Sequence, residues 1–114
     1  MNDVTDQLEN MTRDHQFFNI EQGLNSGDPS IQAQAVEQLK QLVDQQHIDS
    51  IYAFGWCLLN GKGINKDIDL AKHYLQQAKD HKHQQATELL DILEKVQDLQ
   101  QKLEISRREN YRKL

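Results

Sequence analysis

SIYAFGWCLLNGKGINKDIDLAKHYLQQAKDHKHQQA, residues 50–86, carries two apolar-striped runs on either side of a glycine-punctuated loop. In the first run Ser50, Ile51, Phe54, Gly55 and Leu58 share one side when successive residues turn by about 100°. A glycine inside a helix costs roughly 1 kcal/mol against alanine, so Gly55 predicts close approach by a neighbouring helix. In the second run Leu70, Ala71, Tyr74, Leu75 and Ala78 form the inward stripe. Asp49 is the expected N-cap of the first run and Asp67 of the second. Asp69 suits the positive N-terminal end of its helix, and Lys79 and Lys82 suit the negative C-terminal end. Gly61 and Gly63 predict a tight loop through positive φ. The stretch therefore reads as two adjacent helices, the first over 50–60, bent back on each other at the glycines.

Outward from this hairpin the helical period continues. Val4, Leu8, Met11, His15 and Phe18 fall at alternating four- and three-residue steps, which predicts a first helix over 3–22 with that stripe inward. Asp3 or Thr5 is its candidate cap, and Gly23 and Asn25-Ser26-Gly27 its stop. Asp28 before Pro29 is a sharper start signal, because proline at the first helical position gives up an N–H that has no partner there anyway. Ile31, Ala35, Leu39, Leu42 and Val43 then make a core stripe to about Gln46, with glutamines on the other faces. A last helix is predicted from about Gln84 towards Arg112, roughly 40 Å long. Its Leu89, Ile92, Val96, Leu99 and Leu103 repeat in the four-three spacing of a coiled-coil seam. The first part of the seam, Leu89 to Val96, is expected to cover the open end of the stack; beyond it, either Leu99 and Leu103 overhang and pair with another copy or another protein, or the N-terminal helix folds back over the seam.

Composition agrees. The 114 residues suffice for one domain with a modest core. Five glycines and one proline are too few for the frequent turns that strands need. The chain is read as all-α: stacked antiparallel helical hairpins with a long C-terminal capping helix. Its parts are a first hairpin over 3–46, a second over 50–83 and the long helix over 84–112. The net charge of −5 argues against general affinity for nucleic acid. That charge is uneven. Residues 1–50 set nine acids against Arg13 and Lys40, whereas residues 51–114 carry eleven bases and nine acids. An acidic front and a mildly basic tail can steer a partner or favour antiparallel self-association. The single Cys57 excludes an internal disulfide. The opening MNDVTDQLEN has neither the basic start nor the apolar stretch of a secretory signal, and no apolar run approaches the roughly 20 residues that span a bilayer. The expected compartment is the cytoplasm.

Sliding the chain by 36 residues sets Ala35 on Ala71, Leu39 on Leu75, Gln41 on Gln77 and His47 on His83, with Phe18 on Phe54 as a weaker match. Leu24-Asn25 likewise matches Leu59-Asn60 across a shorter loop. Helix-hairpin repeats of this period bury each apolar face on the next repeat. The stretch Phe54-Gly55, Asn60-Gly61-Lys62-Gly63-Ile64, Asp67, Ala71, Tyr74, Gln76, Ala78, His83 and Ala86 resembles a Sel-one-like repeat, a relative of the tetratricopeptide repeat. It departs from that pattern at Ser50, Leu58, Lys79 and Lys82, the last standing where the family has glycine. The resemblance implies a stacked-hairpin fold and a non-enzymatic adaptor or scaffold, of the kind found in bacteria and in eukaryotic degradation complexes.

The candidate sites follow. Trp56 lies about 150° from the centre of its helix's core stripe, on the same outer side as Asp49, Tyr52 and Asn60. In a stacked array the first helices of each pair line the concave surface, and Trp and Tyr are typical interface anchors. The competing expectation is that Trp56 packs against the first or last helix. Leu99 and Leu103 are the candidate self-association residues. His81 and His83, at i and i+2 on a helix, cannot converge on one ion, so neither metal nor cofactor is expected. Cys57 reads as a small half-buried hydrophobe, and Gly61-Lys62-Gly63 lacks the flanking elements of a phosphate loop. With no nucleophile–base pair visible, the expected function is a protein-binding module whose partner is another protein, with a homodimer through the C-terminal helix possible. The alternative is a small regulatory or immunity protein that blocks an enzyme or toxin.

Overall fold

In the computed structural model, residues 3–113 are described, with side chains over 7–110 apart from residue 10. They form five helices: α1 (Asp3–Leu24), α2 (Pro29–Asp44), α3 (Ile48–Asn60), α4 (Ile68–Asp80) and α5 (Gln84–Lys113). No strand occurs among the described residues. Each helix packs on its successor across a short connection, so the chain zigzags through the hairpins α1–α2 and α3–α4 and ends on α5. The body measures 71 × 35 × 17 Å, and its length comes from α5 projecting beyond the rest.

Local chemistry explains the starts. Asp28 caps α2, its Oδ1 accepting the Ser30 N–H at 2.8 Å, with Pro29 next in line. Asp67 caps α4 by accepting the Leu70 N–H at 3.0 Å. Asp67→Ala is expected to lower stability by about 1 kcal/mol in urea denaturation, since one helix-end N–H loses its partner. The expected caps Asp3 and Thr5, and Val4 of the expected stripe, lie outside the described side chains.

Three helices end alike. Gln46 (φ 61), Gly61 (φ 66) and Lys82 (φ 64) each adopt a left-handed conformation. The following N–H reaches back five residues in each case: His47 to the Leu42 carbonyl, Lys62 to Cys57 and His83 to Ala78, all at 3.0 Å. This closing motif favours glycine at the left-handed position, and only one of the three ends supplies it. Lys82→Gly and Gln46→Gly are each expected to raise stability by roughly 1 kcal/mol, read as higher urea midpoints at unchanged slope.

The core joins both hairpins. Leu39, Ile51, Leu58 and Leu75 are fully enclosed, with Ala35, Leu42 and Val43 of α2, Phe54 of α3, Ala71 and Ala78 of α4 and Ala86 and Leu90 of α5 around them. The stripes read for α2 and α3 are largely the buried ones, except that Ile31 is exposed and Val36 and Cys57 are buried as well. In α4, Leu70 is exposed and Tyr74 half-buried, its ring edge-on to Phe54 at 4.9 Å. Gly55 is the close approach that its cost implied: a Cβ there would stand 3.0 Å from Leu75 Cγ and 3.2 Å from the Ala71 carbonyl.

Three expectations need correction. On α1 the buried residues are Ile20 and Leu24, with Phe17 packed beside them, while Leu8, Met11, His15 and Phe18 face outward. The expected stripe is nearly opposite the real one. On α5 the packed face is Ala86 and Leu90 with Leu89 and Leu93 beside them; Ile92 and Val96, expected to cover the stack, are exposed, and Leu99 and Leu103 are exposed as their overhanging reading has it. The seam lies about 110° around the helix from the buried face. Finally, α3 starts at Ile48 with His47 as its N-cap, so Asp49 sits in the first turn and is not the cap.

Candidate functional site

The first helices of the hairpins line one open groove of about 400 Å³. Phe17, Glu21, Leu24 and Asn25 come from α1, Asp49, Tyr52, Ala53 and Trp56 from α3, and His83 and Gln85 from the entry to α5. Three of the four expected binding residues, Asp49, Tyr52 and Trp56, are thus brought together. Asn60 is not: it lies outside the groove and donates its side-chain N–H to the Trp56 carbonyl, 2.8 Å away in its own helix. Trp56 keeps 36% of its surface exposed and does not pack into the core; Lys62 Nζ stands over its ring at 5.2 Å.

Two histidines tie the hairpins together, and one of them, His83, lines the groove. His83 Nδ1 accepts the Ala86 N–H at 3.2 Å, which places the ring proton on Nε2, and Nε2 donates to Asp49 Oδ1 at 3.1 Å. His47 repeats the arrangement one hairpin earlier, with Nε2 donating to Asp14 Oδ1 at 2.8 Å and Nδ1 paired with the buried Ser50 Oγ at 2.7 Å. Each ring also meets an aromatic on the first helix of its hairpin: Tyr52 stacks on His83 at 4.6 Å, and Phe17 meets His47 at 5.4 Å. Each histidine therefore ends one helix, opens the next and ties back to a carboxylate on the first helix of its hairpin. The two hairpins correspond at an offset of 36 in the histidines and 35 in the first helices, pairing Asp14 with Asp49 and Phe17 with Tyr52. The expected match of Phe18 with Phe54 is off by one residue, because the loop after α1 is shorter.

The electrostatics are mostly acidic. Glu21 and Asp49 line the groove, and exposed Glu88 stands near Tyr52. Burial, and then the Glu88 charge, hold the Tyr52 phenol above its ordinary pKa. Cys57 is fully enclosed, and burial pushes its thiol up to about 11 against a smaller opposing pull from Lys62. Such a thiol is inert near neutrality.

At His81 and His83, where no metal is expected, His83 has both ring nitrogens hydrogen-bonded and His81 is exposed. The residues whose ligand atoms do gather, all within 4.8 Å of one another, are Asp14, His47 and Asp49. The 2.8 Å His47–Asp14 bond and its counterpart in the second hairpin account for that cluster as a structural tie. Its signal in the sequence was the His47–His83 match, which needed the 35-residue offset to bring in the acids.

Among the described residues no helix is long and apolar enough to cross a membrane. Set against known proteins, the chain matches no family model, no curated protein and no solved structure.

Proposed function

We propose that this chain is a non-catalytic protein-binding module of the Sel-one-like repeat type, an adaptor that holds a segment of another protein in the groove between α1, α3 and the start of α5. The observation that carries the reading is the placement of Tyr52 and half-exposed Trp56 in one groove built by the first helices of successive hairpins. Tyr and Trp present large contact area and lose little rotamer freedom on binding, which is why they dominate interface energetics. Against a chemical role stand the enclosed Cys57 and two histidines whose ring nitrogens are taken up by a cap at His83 and by structural ties at both. The acidic side of the groove favours, as a second reading, a small regulatory or immunity protein that covers a basic target surface. The cytoplasm remains the proposed setting.

The test is affinity capture from the native host with wild type and Tyr52→Ala/Trp56→Ala, followed by titration of the purified captured protein. The double variant is expected to bind at least about thirtyfold more weakly with unchanged circular dichroism. Undiminished binding by that variant would exclude the groove as the docking face. If binding falls steeply with salt, the basic-target reading gains over one based on apolar contact alone.

A further inference from the structure

We infer that two copies of this chain dock groove to groove, each laying the projecting part of its α5 on the acidic groove of the other. The inference rests on the groove being a protein-binding face, and it names a second copy as the occupant.

Four observations converge. First, α5 carries an apolar stripe left open among the described residues: Ile92, Val96, Leu99 and Leu103 are 43–59% exposed. Second, bases border the projecting part of the stripe. At about 100° per residue, Lys95, Lys102 and Arg107 fall within about 90° of its centre, as does Glu88 one turn before Ile92, while Asp91, Glu94, Asp98, Glu104 and Glu109 fall farther round. Third, the groove has the complementary chemistry. Its apolar lining, Tyr52 and Trp56, is bordered by the carboxylates of Glu21 and Asp49, with Glu88 close to Tyr52; Lys62 over Trp56 is the opposing charge. Fourth, groove and stripe lie on the same side. The 36-residue correspondence that matches His47 with His83 places Ile92 at the position of Trp56, a residue of the groove.

Reach is sufficient. Beyond Leu93, the last residue of α5 packed against the core, the helix runs to Lys113, about 30 Å at 1.5 Å per residue. The groove spans three neighbouring helices, roughly 20 Å at usual interhelical spacing. A twofold arrangement satisfies both stripes and both grooves at once, and it closes without leaving a free end to polymerise. Stripe-on-stripe pairing is less suited. A parallel seam sets Lys102 against Arg107 of the second copy, and an antiparallel one centred between Val96 and Leu99 sets Lys95 against Lys102.

Light scattering across a concentration series tests this. Wild type is expected at twice the chain mass, with an association that weakens as salt rises. Glu21→Lys/Glu88→Lys and Lys102→Glu/Arg107→Glu each reverse exposed charges, and each is expected to weaken dimerisation at least about tenfold. Mixing the two variants is expected to restore the dimer, because each basic stripe then meets an acidic groove and each acidic stripe a basic one. Trp56, the only tryptophan, gives a reading that needs no variant: its emission is expected to shift to the red as wild type is diluted into monomer. A monomer at all concentrations, a dimer indifferent to the groove reversals yet lost in Leu99→Asp/Leu103→Asp, or Trp56 emission unmoved by dissociation would each overturn the inference. None of these touches the Tyr52/Trp56 capture experiment, so the two readings fail separately.

Discussion

Gly63→Ala is expected to cost at least about 3 kcal/mol, a large part of the roughly 5–15 kcal/mol that holds a domain of this size folded. Two independent penalties act. Gly63 sits at φ 70, where a Cβ strains the backbone by about 1–2 kcal/mol. That Cβ would also stand 2.6 Å from the Gln32 carbonyl oxygen and 2.7 Å from Val36 Cγ2, both on α2. A carbonyl fixed in the first turn of a helix that Asp28 caps and Pro29 stiffens cannot readily swing aside, so relief requires the α3–α4 loop to lift off α2. Lifting it also disturbs the Asp67 N–H bond to the Leu58 carbonyl, 2.9 Å, that seats the start of α4. The measurement is thermal unfolding, with a midpoint roughly 10–20 °C below wild type. Gly27→Ala is the control, because a Cβ there meets nothing within 4 Å and the midpoint is expected to stay put. A Gly63→Ala midpoint within a few degrees of wild type would show that the loop is not pressed against α2.

The second large effect is at the α3–α4 contact. Leu75 is fully buried, and its Cγ and Cδ2 lie against the bare face of Gly55. Leu75→Ala is expected to cost 2–5 kcal/mol, from lost transfer energy and from a cavity that two helices cannot readily close. Gly55→Ala alone is expected to cost about 1–3 kcal/mol by overpacking, with helix propensity returning part of it. The pair should not add. A methyl at 55 enters the space that Leu75 vacates, so the double variant is expected to be less destabilised than the sum by about 1 kcal/mol. Urea unfolding of the four-member cycle reads this directly. Strict additivity would mean that Gly55 and Leu75 do not share one space.

Sequence sufficed wherever a residue type has one physical use. Asp28-Pro29 and Asp67 are helix starts because a carboxylate beside free N–H groups serves that end, and both act so. Gly55, Gly61 and Gly63 marked a close approach and two positive φ angles, and those are what they provide. The stripes of α2 and α3 were legible because these helices have neighbours on two sides, which leaves one wide apolar face. The groove was partly legible: Asp49, Tyr52 and Trp56 lie opposite the α3 core stripe, and that is where the groove runs.

The misreadings gather at the ends of the array, for a common reason. α1 packs chiefly on α2 and α5 chiefly on α4, so each outer helix has room for one packed face while carrying two apolar ones. Periodicity counts both faces and cannot say which meets a neighbour. On α1 the stepped stripe Leu8, Met11 and Phe18 is the outward one, and on α5 the regular seam is again the outward one. Asp49 was misassigned because the helix starts two residues earlier, at a histidine that is the N-cap by backbone position and makes no side-chain cap bond. His47 is held by Asp14, 33 positions away in the chain. What the sequence alone determined, then, was the number of helices, most of their limits and the two glycine-dependent contacts, because those follow from interactions within a few residues or from the absence of a side chain. Tertiary packing decided which apolar faces were covered, how the two His–Asp ties link successive hairpins, and that Phe17, Tyr52 and Trp56 share one groove, because each depends on which distant helix arrives on which side.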